Sequence, residues 1–251
     1  MRKLVLPILA ILCINFLPIF SQDFFGQLPY PDGLAAQVSA VDSSDILYVG
    51  LWGKGLKKSL DGGTSWTDAN TGLTNFFFND IFVSSDSKIY VSTMGGIFLS
   101  TNQGASWTTL NNGLGILNVT CVRQYKTGML MVGTYGQGIY ISTNGGALWT
   151  QSNTGLPYRA ISSIEISKVG YIVASTYGGG VYQSHDTAKT WQRANTGITN
   201  KYVKSLVRIP IYPQIYAATN GGGVFMSPNE GISWGEAEDT TGLLDYGITA
   251  L

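Results

Sequence analysis

Ser59-Leu60-Asp61-Gly62-Gly63-Thr64-Ser65-Trp66 is the first of five copies of one short motif, here called the tryptophan phrase. The other copies begin at Ser100, Ser142, Ser184 and Ser227, and they end at Trp107, Trp149, Trp191 and Trp234. The copies start about 42 residues apart. A fixed period of this length is typical of arrays in which each unit is one small sheet, such as a propeller blade.

The fourth unit shows most clearly how a repeat divides into strands. Its sequence predicts strands at Ala160 to Ser167, Tyr171 to Thr176, Gly180 to Ser184 and Thr190 to Arg193. The second and third are joined by Tyr177-Gly178-Gly179, which favours a hairpin because glycine tolerates positive φ. Five such units, with Leu244 to Leu251 as a partial sixth, predict an all-β propeller of four-stranded antiparallel blades.

The first strand of each unit is expected to be the innermost, because apolar residues three apart make both of its faces apolar. These pairs are Val38/Val41, Phe78/Ile81, Val119/Val122, Ile161/Ile164 and Val203/Leu206. This alignment places Asp80 at the position that holds Ala40, Cys121, Ser163 and Ser205 in the other units. Each unit then ends in Gly-Leu or Gly-Ile, such as Gly72-Leu73, which we interpret as the crossing to the next blade.

The amino terminus has the pattern of an export signal. Arg2 and Lys3 precede an apolar run from Leu4 to Phe20, and Ser21-Gln22 follows. We therefore predict a signal peptide over 1–21 and a propeller over 22–251, secreted, periplasmic or at the cell surface, without stable membrane insertion after cleavage. A retained anchor is the alternative. The partial sixth unit leaves open a loosely closed ring or a chain truncated from a longer protein.

The composition argues against several classes of function. The formal net charge is zero and only 12% of residues are charged, so nothing favours nucleic acid. His185 is the single histidine, so we expect neither a histidine-rich metal site nor a Ser-His-Asp triad. Cys121 is the only cysteine after the leader, so no disulfide within the mature chain is expected. We expect no metal and no cofactor.

The tryptophan phrase resembles the Asp-box, or BNR repeat, of sialidases, sortilin-type ectodomains, xyloglucanases and the photosystem II assembly factor. The resemblance implies that the phrase joins the third and fourth strands, away from the binding face. It implies a structural role for Ser59, Asp61, Gly63, Trp66, Ser100, Asn102, Gly104, Trp107, Ser142, Asn144, Gly146, Trp149, Ser184, Asp186, Trp191, Ser227, Asn229, Gly231 and Trp234. The residue types agree, since Asp and Asn oxygens accept backbone N–H groups, and we expect each indole to cover a turn of its own blade.

Catalytic candidates are few. Asp80 is the best, because a charge replaces a small residue in a crowded inner strand, and Asp32 and Asp245 lie in turns where they could be its partners. Sialidase chemistry needs an arginine cluster. The mature chain has only four arginines, which the alignment separates: Arg123, Arg159, Arg193 and Arg208.

One face of the propeller is predicted to carry aromatic side chains. It receives the turns between second and third strands and the crossings between blades, which supply Trp52, Tyr135, Tyr177, Tyr158, Arg159 and Tyr202. Such rings suit a sugar or a peptide, and covering the seams between blades is the alternative role. The sequence thus predicts an exported, non-catalytic binding or scaffold propeller for a glycan or protein partner. The alternatives are a glycoside hydrolase, xyloglucanase-like or sialidase-like, and an assembly factor resembling that of photosystem II.

Overall fold

The structure is a computed structural model that describes residues 36–126, 128–210 and 212–237. The predicted signal peptide, the predicted sixth unit at Leu244 to Leu251, and the candidates Asp32 and Asp245 lie outside the described residues. Nowhere in these described ranges is there a helix of the length and apolar character needed to cross a membrane.

The described residues form five antiparallel sheets of four strands, and the strands follow each other in chain order within each sheet. Blade 1 contains β1 (Ala36–Val41), β2 (Leu47–Leu51), β3 (Gly55–Ser59) and β4 (Thr67–Asp68). Blade 2 contains β5 (Phe78–Val83), β6 (Ile89–Thr93), β7 (Gly96–Ser100) and β8 (Thr108–Thr109). Blade 3 contains β9 (Val119–Tyr125), β10 (Met129–Thr134), β11 (Gly138–Ser142) and β12 (Thr150–Gln151).

Blade 4 contains β13 (Ile161–Ile166), β14 (Ile172–Thr176), β15 (Gly180–Ser184) and β16 (Gln192–Arg193). Blade 5 contains β17 (Val203–Arg208), β18 (Ile215–Thr219), β19 (Gly223–Ser227) and β20 (Gly235–Glu236). The predicted division of a repeat into four strands is confirmed. The fourth strand is shorter than predicted, with two residues in every blade.

The first strands of successive blades pack side by side, β1 on β5, β5 on β9, β9 on β13 and β13 on β17. Each of them carries a β-bulge at the same place, so that one residue has no partner in the second strand. These bulge residues are Gln37, Asn79, Thr120, Ser162 and Lys204. Two of them bond to the next blade: Asn79 Nδ2 donates to Val119 O at 2.8 Å, and Ser162 Oγ donates to Val203 O at 2.6 Å.

The strand pairing corrects the alignment of the first unit. Val38 pairs with Gly50 as Asp80 pairs with Ser92, so Val38 occupies the position equivalent to Asp80, and the prediction that Ala40 does so was wrong. Apolar spacing gave the wrong alignment because Ala36 and Ser39 occupy the positions of Phe78 and Ile81, whereas Val38 and Val41 lie two residues later.

Within each tryptophan phrase, side-chain oxygens hold a tight turn. In the first copy, Gly63 N donates to Ser59 Oγ at 2.8 Å, and Ser65 N donates to Asp61 Oδ1 at 2.8 Å. The hydroxyl and backbone N–H of Ser65, with the hydroxyl of Ser59, hold the pKa of Asp61 at about 2. Asn102, Asn144, Asp186 and Asn229 accept the equivalent backbone bond in the other copies.

The indoles of four phrases reach the preceding blade, so the expectation that each covers a turn of its own blade was wrong. The Nε1–H donors and carbonyl acceptors are Trp107 to Ala69, Trp149 to Leu110, Trp191 to Ser152 and Trp234 to Ala194, at 2.6 to 2.9 Å. Trp66 alone among the five donates to its own turn, at Gly63 O. A tryptophan between two apolar sheets therefore joins each described pair of blades.

The Gly-Leu crossing packs directly on the next tryptophan. Gly72 has a φ of +91°, and a Cβ there would overlap the carbonyl oxygen of Trp107, so only glycine fits. Two residues earlier, Asn70 Oδ1 accepts the N–H of Leu56 at 2.7 Å. The sequence analysis overlooked this asparagine, although Asn111, Asn153 and Asn195 recur before the equivalent glycines and make the same bond.

The side of blade 1 that faces away from blade 2 differs in polarity from the side of blade 5 that faces away from blade 4. Phe98, Tyr140, Tyr182 and Phe225 fill equivalent third-strand positions and are buried against the preceding blade. Blade 1 has Lys57 there, paired with Asp68 at 2.7 Å, as expected for a polar capping unit. On the side of blade 5 that faces away from blade 4, the repeat keeps its aromatic and apolar residues. Tyr216 is partly exposed, whereas Tyr48, Tyr90, Met131 and Val173 at equivalent positions are at most 2% exposed.

We predict that Trp107→Ala lowers the free energy of unfolding by about 3 to 5 kcal/mol, because it empties a buried site between two blades. Trp66→Ala is the matched control and should cost clearly less, since Trp66 is partly exposed and bonds only to its own turn. Urea denaturation measures both values. A loss below about 1 kcal/mol for Trp107→Ala would contradict the interblade role.

We also predict that the chain self-associates through the side of blade 5 that no described residue covers, where Tyr216 is partly exposed. Tyr216→Lys should lower the concentration-dependent mass seen by light scattering, whereas Tyr212→Lys, at an exposed loop position, should not. A stable monomer whose Leu244 to Leu251 segment resists amide exchange would contradict this prediction and indicate a closed chain.

Candidate functional site

The predicted binding face is formed by two sets of loops that bond to each other within blades 3, 4 and 5. Tyr135 N donates to Asn118 O at 3.0 Å, and Tyr177 N donates to Ala160 O at 2.9 Å. Asn220 N donates to Tyr202 O at 2.9 Å in the same way. Each bond joins a turn between the second and third strands to a crossing between blades. The two sets of loops therefore lie on one side of the molecule.

Three tyrosines from this face are in ring contact. The ring centroids of Tyr135 and Tyr177 are 5.6 Å apart, and those of Tyr177 and Tyr202 are 5.7 Å apart. The planes are tilted by 58° and 51°, so the row presents ring edges as well as faces. Tyr135 is 51% exposed and Tyr202 is 42% exposed, whereas Tyr177 is partly buried between them. Burial raises the pKa of Tyr177, which keeps its hydroxyl protonated.

The other predicted residues of the face lie on either side of this row. Trp52 is exposed and contacts Phe77 edge to face, with ring centroids 5.2 Å apart. Tyr158 is exposed and packs over Gly179. The Arg159 side chain is exposed, and no described residue forms an ion pair with it. Trp52, Phe77, Tyr135, Tyr158, Tyr177 and Tyr202 are called the aromatic face below.

A cavity of about 480 Å³ lies between the inner strands, and residues from β1, β5, β9, β13 and β17 all line it. Trp52 and Tyr177 line it as well, so the cavity opens beside the aromatic face. Its wall is mostly polar and includes Asp80, Arg123, Glu165 and Lys204. A volume of this size is within the range of small-molecule sites.

Three charged side chains from adjacent blades form one network in this cavity. Asp80 Oδ2 accepts Arg123 Nη1 at 2.6 Å and the backbone N–H of Val122 at 3.0 Å. Arg123 Nε lies 3.5 Å from Glu165 Oε1. Asp80 was predicted from the sequence, whereas Arg123 was predicted to lie apart from the other arginines and Glu165 was not among the predicted residues. A charged residue in the inner strand of consecutive units was the available signal.

Burial has different consequences for the pKa of Glu165 and for that of Arg123. It raises the pKa of Glu165 above the usual value, and the attraction of Arg123 and Arg208 offsets this only partly. Burial acts to lower the pKa of Arg123, but Asp80 and Glu165 outweigh it, so the net shift is upward and the guanidinium stays charged. Between these groups, burial raises the pKa of the Cys121 thiol to about 12. This thiol is therefore not a reactive nucleophile at neutral pH.

Of the three catalytic candidates, Asp80 lies among the described residues, and Asp32 and Asp245 lie outside them. Arg193 lies in β16 and Arg208 ends β17, while Arg123 lines the cavity. The described ranges contain no group of three or more His, Cys, Asp or Glu side chains that could hold a metal ion.

No family model matches the chain, and no curated protein matches it in sequence. Solved structures do match its fold. The extracellular domain of the hybrid two-component system BT4673 from B. thetaiotaomicron has a TM-score of 0.69 at 16% identity, covering 86% of this chain and 32% of that one. An ancestral GH74 enzyme has a TM-score of 0.66 at 21% identity, covering 82% and 31%.

YCF48 from Cyanidioschyzon merolae has a TM-score of 0.61 at 16% identity, covering 83% of this chain and 72% of that one, and YCF48 bound to a D1 peptide also matches. These neighbours are β-propeller proteins, so the predicted fold class is confirmed. The chain spans about a third of the length of the first two. At these identities the likeness extends to the fold alone.

The raised pKa of Glu165 predicts a pH-dependent stability. Because the folded state binds this proton more tightly, the contribution of Glu165 is present below the ordinary glutamate pKa of about 4.3 and is lost as pH rises through the raised value. Relative to wild type, Glu165→Gln should therefore gain stability with rising pH across this window. Urea denaturation at several pH values, with Glu236→Gln as an exposed control, tests this. Parallel pH profiles for wild type and Glu165→Gln would contradict it.

Proposed function

We propose that this chain is an exported, non-catalytic binding propeller whose aromatic face holds a glycan or a segment of a protein partner. The observation that carries the proposal is the ring contact of Tyr135, Tyr177 and Tyr202, which come from turns and crossings of three successive blades. Exposed tyrosines offer large apolar surface with a polar edge, and their rings lose little conformational entropy when a ligand binds.

The tilt of the rings favours a protein segment over a glycan. A sugar ring stacks best on a flat aromatic face, whereas planes inclined by more than 50° form grooves between the rings. Side chains of an extended peptide fit such grooves, and the exposed tyrosine hydroxyls and Arg159 supply polar contacts at their edges. The peptide complex of YCF48 supports a protein ligand for a propeller of this shape.

The charged network supports a binding role more than a catalytic one. Asp80 Oδ2 bonds to both Arg123 and Val122, which stabilises the carboxylate inside the cavity. The structural roles predicted for the tryptophan phrases fit the same function, because their indoles join blades and leave the opposite face to the ligand. The extracellular domain among the structural neighbours supports export, as does the predicted signal peptide over 1–21.

A glycoside hydrolase is the second candidate. Asp80 and Glu165 place two carboxylates in the wall of one cavity, and the GH74 neighbours share this fold. Two carboxylates are the minimum requirement of glycoside hydrolysis. Both are bridged by Arg123, however, and a guanidinium between the carboxylates occupies the space that a glycosidic bond would need.

We predict that Tyr135→Ala and Tyr202→Ala each weaken ligand binding about tenfold or more, because both remove an exposed ring from the centre of the face. Trp52→Ala tests the blade 1 side of the cavity mouth. Peptide arrays and glycan arrays would first identify a ligand, and titration calorimetry would then compare the variants. Tyr212→Ala is the matched control, since Tyr212 is as exposed as Tyr135 but lies in the loop between β17 and β18 on the opposite side.

Two results would overturn this function. Unchanged binding in both tyrosine variants would reject the aromatic face. Hydrolysis of xyloglucan or another polysaccharide that disappears in Asp80→Asn would instead favour the enzyme, and Asp80→Asn is otherwise expected to leave binding at the face intact.

A further inference from the structure

The central cavity contains polar atoms of both charge signs that the fold does not use. Asp80 forms its described bonds through Oδ2, and Glu165 contacts Arg123 through Oε1. In the described part of the chain, Asp80 Oδ1 and Glu165 Oε2 have no side-chain partner. Arg123 likewise bonds through Nη1 and Nε, which leaves Nη2 free to donate.

Lys204 supplies a second cationic group on another wall of this cavity. It is the bulge residue of β17, equivalent to Asn79 and Ser162, whose side chains bond to the inner strand of the next blade. Lys204 is partly buried, and no hydrogen bond or ion pair joins its ammonium to a described residue. An ammonium beside a polar cavity that pairs with no acidic side chain among the described residues favours an anionic group of a ligand.

The remaining cavity wall is suited to a small hydrophilic molecule. Ser163 and Ser205 occupy the positions equivalent to Asp80 on β13 and β17, and both line the cavity. Their hydroxyls can donate or accept. The volume of about 480 Å³ is large enough for a compact ligand but small for a polymer chain.

We propose that the cavity binds a small zwitterion, whose carboxylate is held by Lys204 and whose ammonium is held by Asp80 Oδ1. A ligand with a single charge would pair with only the cationic or only the acidic groups of the cavity.

This site is separate from the ligand site on the aromatic face, although Trp52 and Tyr177 stand at its mouth. The proposal therefore does not depend on the proposed function. Tyr135→Ala and Tyr202→Ala should weaken binding at the face and leave zwitterion binding unchanged, because neither residue lines the cavity. A failure of one proposal can thus be distinguished from a failure of the other.

The test uses a series of zwitterions in which the distance between the charges increases: glycine, β-alanine, 4-aminobutyrate and 5-aminovalerate. Titration calorimetry with the purified chain should find one length that binds with a Kd of about 1 mM or tighter. Butyrate and butylamine carry only one of the charges and should bind at least about tenfold more weakly, since each loses a charge-assisted hydrogen bond.

Lys204→Met removes the ammonium and retains an unbranched apolar side chain, so it should fold normally and weaken zwitterion binding about tenfold or more. Lys189→Met is the matched control, because Lys189 lies in an exposed turn of the fourth tryptophan phrase. Asp80→Asn should weaken binding through the other end of the ligand. The proposal is overturned if no member of the series binds at about 10 mM, if butyrate or glycerol binds as tightly, or if Lys204→Met binds like wild type.

Discussion

The contact between one tryptophan and the blade before it is the interaction on which the rest of the structure depends. At each of the four described seams, an indole buried between two sheets donates to a carbonyl just after the short fourth strand. The ring covers apolar surface of both blades, and its bond satisfies a carbonyl that burial would otherwise leave unpaired. The crossing glycine then packs on the same tryptophan, as Gly72 does on Trp107. One side chain therefore fixes how far apart and at what angle two blades lie.

That arrangement separates the two sides of the molecule. The tryptophan phrases hold the far ends of the blades rigidly through short side-chain to backbone bonds, while the turns on the opposite side are free to carry exposed rings. Tyr135 and Tyr202 can remain exposed because the seams beneath them are closed by other residues. Loops on a rigid scaffold are the usual location of binding residues. The contacts that join the blades and the exposed rings thus involve different residues of the same repeat.

The inner strands also differ from blade to blade at one position. A bulge at one fixed position allows Asn79 and Ser162 to bond across the seam, and the same position in blade 5 leaves Lys204 for the cavity. The repeat also varies at its ends. Lys57 replaces a buried aromatic residue on the outer side of blade 1, whereas the outer side of blade 5 retains Tyr216 and Val224. Small departures from the repeat therefore lie at the ends of the described array and at the cavity.

The sequence by itself determined the blade, because the period of the tryptophan phrase, the glycine turns and the strand lengths are all local patterns. It also identified the residues of the aromatic face, since equivalent positions in successive repeats must emerge on one side. The tertiary structure alone decided which blade each indole joins, which residue is equivalent to Asp80, and that Arg123 bridges Asp80 to Glu165. The first and last of these are contacts between residues about 40 positions apart, which depend on the packing of neighbouring sheets, and the equivalence to Asp80 depends on strand register. Neither leaves a signal in the spacing of apolar residues within one repeat.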